Sequence, residues 1–238
     1  MNNLNAIVFF WVGPDITIPA LLVRSVRVAF GPQFNIVQLS DRNTPKVEGV
    51  TSHKQLKLSP HIMVARLEAY AALSITAPTL FLDADMLVLR PFDLPPLAGN
   101  EVGVTTRGIR ETVSFTELDC AEYPEFAGKI TREVMPYLYS FVYVRSPILF
   151  VRQLNALRKL PKRFHRWYGD QVTLKSELDT SGRFVIQAFD INLYNRTVGS
   201  RREFEAIRNA PQSVCVAHFK GKDSKRAMLE SLTLLESG

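Results

Sequence analysis

Two aspartates stand two residues apart at the end of an apolar run, Thr79-Leu80-Phe81-Leu82-Asp83-Ala84-Asp85-Met86. A short continuous run of this kind reads as a buried strand. In extended backbone, residues i and i+2 project to the same side, so both carboxylates are expected to approach one point beyond the strand. Carboxylates that close repel one another unless a cation lies between them. The chemistry this points to is a divalent ion, Mg²⁺ or Mn²⁺, held by oxygen donors and shared with a phosphate of the ligand. The plainer alternative is a solvated turn whose aspartates cap a helix. Other polar groups fall at similar places. His218 follows the apolar run Val214–Ala217, and Asp170-Gln171 opens a helical segment. Asp15 and Ser40-Asp41 follow the first two strand candidates.

Those residues need a scaffold, and the pattern supplies an alternation of strands and helices. Strands are expected at Ala6–Val12, Asn35–Leu39 and Thr79–Asp83, then Val102–Thr106, Phe141–Val144, Phe184–Ala188 and Val214–His218. Helices are expected at Pro19–Ala29, from Ser59-Pro60 to about Leu73, and at Ile148–Leu157, Asp170–Glu177 and Lys225–Leu235. Ser59-Pro60 has the signature of an N-cap followed by a first-turn proline. Such alternation implies an α/β fold, a mostly parallel central sheet with helices on both faces. Ligands of such sheets sit at the carboxyl ends of the strands, where Asp83 and Asp85 fall. A chain of 238 residues fits a single domain. The Asp-x-Asp lies in its first half (1–110) and the longer basic stretch in its second (111–238).

Hydrophobic residues make up 46% and charged residues 22%, which excludes disorder and coiled coil. Cys120 and Cys215 cannot make a disulfide framework or a four-cysteine zinc site, and they suit a reducing, cytoplasmic setting. The apolar run at Ala6–Val12 is far shorter than the ~20 residues of a membrane helix. The net charge is +6, and it is unevenly spread. Between Glu133 and Asp170 the charged residues are all basic: Arg145, Arg152, Arg158, Lys159, Lys162, Arg163 and Arg166. A second basic stretch runs from Arg196 to Arg226. Such stretches attract phosphate-rich partners: nucleotides, nucleic acid, or anionic lipid and lipopolysaccharide.

An Asp-x-Asp after a strand fits two enzyme classes. Dehalogenase-type phosphatases use the first aspartate as nucleophile and carry a later Gly-Asp-x-x-x-Asp. Here Gly169-Asp170 is followed by Gln171-Val172-Thr173-Leu174, so the second acid is missing. The other class binds a sugar nucleotide, and four pieces favour it in order. They are the N-terminal strand and helix; Ala65-Arg66-Leu67 with Phe81-Leu82-Asp83-Ala84-Asp85-Met86; Tyr168-Gly169-Asp170-Gln171; and His218-Phe219-Lys220-Gly221. From about Ala6 to Lys225 the sequence resembles the GT-A fold glycosyltransferases, most of all family 8, which includes bacterial lipopolysaccharide glycosyltransferases and glycogenin.

The resemblance implies transfer of a sugar from a nucleotide sugar, UDP favoured, with retention of configuration, the nucleotide site lying in residues 1–110 of the one domain and the sugar and acceptor contacts in 111–238. It makes Asp83, Asp85 and His218 the metal ligands, and an imidazole ligand tilts the ion from Mg²⁺ towards Mn²⁺. It assigns Asp83 to the ribose as well, and Asp15 and Asp41 to base and ribose. Arg66 falls near the sugar or diphosphate, and Lys222 or Lys225 contacts the diphosphate. Asp170 holds the donor sugar, with Gln171 beneath its anomeric carbon. The family's Asn-x-Gly strand is matched by Tyr137–Val144, which has neither residue, so the sugar contacts must differ. The basic segment Arg158–Trp167 leads into Asp170 and is expected to receive the acceptor, through Lys162, Arg163, Arg166 and Trp167. A glycan or lipopolysaccharide, on a peripherally bound membrane, fits first; a flipped base of nucleic acid fits next. A phosphatase and a non-catalytic nucleic-acid module remain the alternatives.

Overall fold

A computed structural model describes residues 3–108, 111–210 and 213–230. The chain begins β1 (Ala6–Phe10), α1 (Thr17–Phe30), β2 (Asn35–Asp41), β3 (Ser52–Leu56), α2 (Ile62–Ala71), β4 (Thr79–Leu82) and β5 (Met86–Val88). It continues through β6 (Glu101–Thr106), α3 (Glu117–Glu122), α4 (Thr131–Val134), β7 (Tyr137–Val144), α5 (Ile148–Leu157), α6 (Lys162–Arg166) and α7 (Gly169–Asp179). It ends with β8 (Val185–Phe189), α8 (Ile191–Tyr194), β9 (Arg196–Thr197), α9 (Arg201–Asn209), β10 (Val216–His218) and α10 (Gly221–Glu230). The architecture is mixed α/β with mostly parallel strand pairing, as the alternation predicts. Two compact units divide it: residues 1–57, 77–96 and 190–238 in the first, 58–76 and 97–189 in the second.

In the first unit the strand order is β3-β2-β1-β4, all parallel, with Val8 level with Val37 on one side and Phe81 on the other. β1 is buried along its whole length, which is why its five residues, Ala-Ile-Val-Phe-Phe, are all apolar. α1 turns Leu21, Leu22, Val23 and Val26 inward. The Arg27 guanidinium fastens its far end by donating to the carbonyls of Pro32, Phe34 and Gly49. A second sheet, β5-β10-β9, closes over Leu21, Leu87, Val198, Phe204, Ala217, Phe219 and Met228. One buried hydroxyl ties β5 to α1. Ser25 Oγ accepts from the Val88 N–H at 2.9 Å and donates to the Leu22 carbonyl at 2.8 Å.

In the second unit β6 lies between β7, antiparallel, and β8, parallel. A bulge between Val104 and Thr105 shifts the β6–β7 register. Gly103 faces Phe189 and Tyr143 so closely that a Cβ there would collide with both rings. α2, α5 and α7 pack together, with the Tyr70 ring against Phe150 and Tyr139. Glu68 ties the entry of α2 to the end of α5: its carboxylate accepts from the Ser59 N–H at 2.8 Å and pairs with Arg158 at 2.9 Å.

Several expectations shift in detail. Ser59-Pro60 does not start α2; His61 is the N-cap and Ser59 Oγ accepts from its N–H, so the serine shapes the turn before the helix. The last helix starts at Gly221, and the expected continuation through Ser231–Leu235 lies outside the described residues. β4 stops at Leu82, and a turn over Ala84-Asp85 carries the chain from β4 to β5. The Asp-x-Asp motif is therefore not extended backbone. Its carboxylates meet because the chain changes sheets there.

Candidate functional site

The first unit gathers Asp83, Asp85 and His218. β10 runs antiparallel to β5 with His218 opposite Met86, and the Phe219 N–H donates to the Asp85 carbonyl at 2.9 Å. This register brings a residue late in the sequence beside the turn that carries the aspartates. One ligand atom from each of Asp83, Asp85 and His218 lies within 4.8 Å of the others. His218 Nε2 stands 3.3 Å from Asp85 Oδ1, and the Lys225 ammonium, from the second turn of α10, stands 3.0 Å from Asp85 Oδ2.

Burial pushes the Asp85 carboxyl up, yet the hydrogen bond and charge of His218, with Lys225 adding the same two effects, outweigh it and hold the group at about 2. Asp85 is thus a carboxylate throughout the physiological range. Two carboxylates and an imidazole fit a divalent cation that completes its shell with water or phosphate oxygens, and the imidazole suits Mn²⁺ better than Mg²⁺. Lys225 adds a fixed positive charge at the rim. A cation held beside that ammonium could bind a diphosphate.

Sequence reasoning missed Asn195, which is wholly buried. Its Oδ1 lies 2.8 Å from His218 Nδ1. No motif marks it, because its position depends on β9 lying parallel to β10, with Arg196 level with Ala217.

The second unit places Arg66, Asp170 and Gln171. Asp170 Oδ2 pairs with the Arg66 guanidinium at 3.3 Å, with only 3% of the aspartate side chain exposed. The same guanidinium lies 5.2 Å from the centre of the Tyr139 ring. Asp170 is not the N-cap of α7; that residue is Tyr168, and Asp170 Oδ1 accepts from the N–H of Gln171.

Tyr168 alone among the described non-glycine residues has a positive φ, at 64°. That conformation costs a bulky residue about 1–3 kcal/mol and persists only where its surroundings hold it. Here the hydroxyl donates to Asp119 at 2.8 Å, and the ring lies among Phe115, Tyr123 and Phe126. Asp119 is itself locked in a capping box with Thr116. Gly169 follows with no room for a Cβ, which would strike the Phe164 carbonyl and Leu157. The start of α7, and with it Asp170-Gln171, is therefore rigidly placed.

The remaining candidates have local partners. Asp15 Oδ1 accepts from the N–H and hydroxyl of Thr17 at the entry of α1, and these bonds lower its pKa. Asp41 Oδ1 accepts from the N–H and hydroxyl of Thr44 in the turn after β2. Lys222 is exposed on the first turn of α10. In α6, Phe164 is buried while Lys162 and Arg166, one turn apart, are exposed, and Trp167 follows at 58% exposure. Arg163 is engaged with Glu125 at 2.7 Å. Among the described residues no helix is long and apolar enough to cross a membrane. Cys120 and Cys215 are unpaired.

No protein-family model matches the sequence, and neither does any curated protein sequence. The fold, in contrast, matches solved structures of glycosyltransferases. The galactosyltransferase LgtC, solved with donor and acceptor sugar analogues, is similar at a TM-score of 0.56 and 15% identity, over 96% of each chain. The glycosyltransferase GlyE of Streptococcus pneumoniae is similar at 0.59 and 11% identity, over 98% of this chain and 62% of GlyE. The bifunctional glycosyltransferase WbbM is similar at 0.55 and 12% identity, over 99% of this chain and 52% of WbbM. This chain thus spans nearly all of LgtC and little more than half of the other two. The shared fold is the GT-A fold expected from the sequence.

Proposed function

We propose that the chain is a metal-dependent glycosyltransferase that moves a sugar from a nucleoside diphosphate sugar, UDP favoured, to an acceptor hydroxyl. The observation that carries this reading is the convergence of Asp83, Asp85 and His218 beside Lys225, in a fold shared with glycosyltransferases. In the reaction the bond between sugar C1 and a diphosphate oxygen breaks. A bond from the acceptor oxygen to C1 forms, and the acceptor proton leaves on the departing phosphate. A bound Mn²⁺ or Mg²⁺ would neutralise charge on the leaving diphosphate. Asp83 and Asp85 offer it oxygen donors and His218 a nitrogen. Lys225 offers its ammonium to the same diphosphate, and Lys222 lies one turn nearer the start of α10.

Asp15, just before α1, and Asp41, the last residue of β2, are assigned to base and ribose. Asp170, oriented by Arg66, accepts from hydroxyls of the donor sugar. Gln171 is assigned to the face of the sugar opposite the leaving group; LgtC too has an active-site glutamine, changed to glutamate in one solved variant. A neutral amide is a poor nucleophile, which favours attack on the leaving-group face and retention. Lys162, Arg163, Arg166 and Trp167 are assigned to the acceptor. Their mixture of cations and an aromatic face suits a phosphate-bearing glycan such as lipopolysaccharide, reached by a peripherally membrane-bound protein from the cytoplasmic side. The phosphatase reading has no comparable support: the second acid of its later pair is missing, and the similar structures are of glycosyltransferases.

The test is hydrolysis of UDP-, GDP- and other nucleotide sugars with Mn²⁺ and no acceptor, because such enzymes pass sugar slowly to water. Release of one nucleoside diphosphate, abolished in Asp85→Ala, is the expected result. Full activity in Asp85→Ala, or phosphate release from a phosphomonoester instead, refutes the assignment.

A further inference from the structure

The buried Asn195 has no place in the chemistry above, and a buried amide with no function is an expensive choice for a core position. It contacts a group that the chemistry does use. His218 is held by its backbone on both sides: its carbonyl accepts from the Val198 N–H at 2.9 Å, and the next N–H, of Phe219, donates to the Asp85 carbonyl. The backbone therefore fixes where the imidazole starts but not how the ring is turned or which nitrogen keeps a proton. Asn195 Oδ1, 2.8 Å from His218 Nδ1, addresses both. A carbonyl oxygen can only accept, so Nδ1 carries a proton whatever the state of Nε2. The neutral ring then has one tautomer: Nδ1–H on Asn195, with the Nε2 lone pair aimed at the side where Asp85 stands 3.3 Å away.

We infer that Asn195 is a positioning residue for the metal centre, fixing the ring orientation and tautomer of His218 so that Nε2 is delivered as a ligand. This rests on the reading of Asp83, Asp85 and His218 as a metal site. Partners of this kind behind a histidine ligand change metal affinity by about 10–100-fold. Asn195 does so from the junction of α8 and β9, two elements that contribute no ligand of their own.

The experiment is a titration of the full chain with Mn²⁺, reading free Mn²⁺ by electron paramagnetic resonance, for wild type, His218→Ala, Asn195→Leu and Asn195→Asp. Wild type should bind, and His218→Ala should lose most of the affinity. Asn195→Leu, close in shape but without an acceptor, should weaken binding by about 10–100-fold. Asn195→Asp keeps the acceptor oxygen and should bind within a few-fold of wild type or more tightly. Absence of Mn²⁺ binding by wild type, even with a nucleoside diphosphate, would sink the metal reading itself. Normal binding by wild type and by Asn195→Leu would leave that reading intact and overturn the role of Asn195. A lowered metal-free melting temperature with unchanged affinity would make the residue merely structural. Should Asn195→Leu fail to fold, the wild-type protein loaded with diamagnetic Mg²⁺ still decides: ¹⁵N spectra must show His218 with Nδ1–H, and an Nε2–H tautomer refutes the inference.

Discussion

Replacing Arg66 by methionine removes one charge from a nearly closed pair, and with it the guanidinium that lies over Tyr139, while keeping an apolar side chain on α2. The partner oxygen is 3.3 Å away and the Asp170 side chain is 3% exposed against 16% for Arg66. At an effective dielectric of about 20, that separation corresponds to roughly 5 kcal/mol of attraction. Removing one partner of a buried pair costs about 3–5 kcal/mol, because the survivor is left charged and poorly solvated. The Gln171 N–H stays on Asp170 Oδ1, which argues for the lower end, near 3 kcal/mol. For a chain of this size that is a fall of about 6–12 °C in melting temperature. The assay is thermal and urea unfolding followed by far-UV circular dichroism, on wild type, Arg66→Met, Asp170→Asn and the double variant. With Asp170 neutral, losing Arg66 should cost less than about 1 kcal/mol, leaving a coupling of about 2 kcal/mol. A cost below about 1 kcal/mol in the wild-type background, or an equal cost in both backgrounds, refutes the argument.

Other expectations follow from single contacts. Ser25→Ala strands the buried Val88 N–H and should destabilise by about 1–3 kcal/mol; a loss within error in urea unfolding would mean the β5 tie is dispensable. Gly169→Ala forces a Cβ into the Phe164 carbonyl and should cost at least about 1–3 kcal/mol, whereas Gly99→Ala, with open space around it and no positive φ, should cost less; equal midpoints contradict the close approach. Burial pushes the Tyr143 phenol up to about 12, and burial followed by the Asp119 carboxylate does the same for Tyr168. Folded values above the unfolded one mean that the stability these phenols contribute is complete below pH 10 and lost as pH rises from 10 to 12. Tyrosinate absorbance at high pH should therefore lag and then rise together with unfolding; a single early rise in an intact fold counts against it.

How far the sequence could be read depends on burial. β1 and β4 are legible because buried parallel strands leave unbroken apolar runs. β3, Ser-His-Lys-Gln-Leu, is invisible by the same logic: it is an edge strand, mostly exposed, and nothing demands apolar side chains there. β5 and β9 are three and two residues long, too short for any periodicity to declare them. At the metal cluster, the residue types and their order were readable, because an apolar run ending in carboxylates or a histidine is a local signal. The route by which they meet was not: the turn at Ala84-Asp85 and the β5–β10 register are set by pairing between distant segments. Asn195 is the extreme case, a polar residue in unremarkable surroundings whose value comes from a strand laid beside it.

The three-stranded sheet has β10 in the middle, with β5 on one side and β9 on the other. The order of synthesis gives this a temporal meaning. Met86–Val88 leaves the ribosome long before Val216–His218, and until then β5 lacks the one strand it pairs with in its sheet. A nascent or shortened chain that lacks β10 exposes unpaired strand edges to its neighbours and also lacks His218, the third candidate metal donor. The same three residues thus close the sheet and complete the cluster, so truncation before them should forfeit solubility and metal affinity together. Quality control that recognises the open edge would also remove the molecules that cannot bind metal.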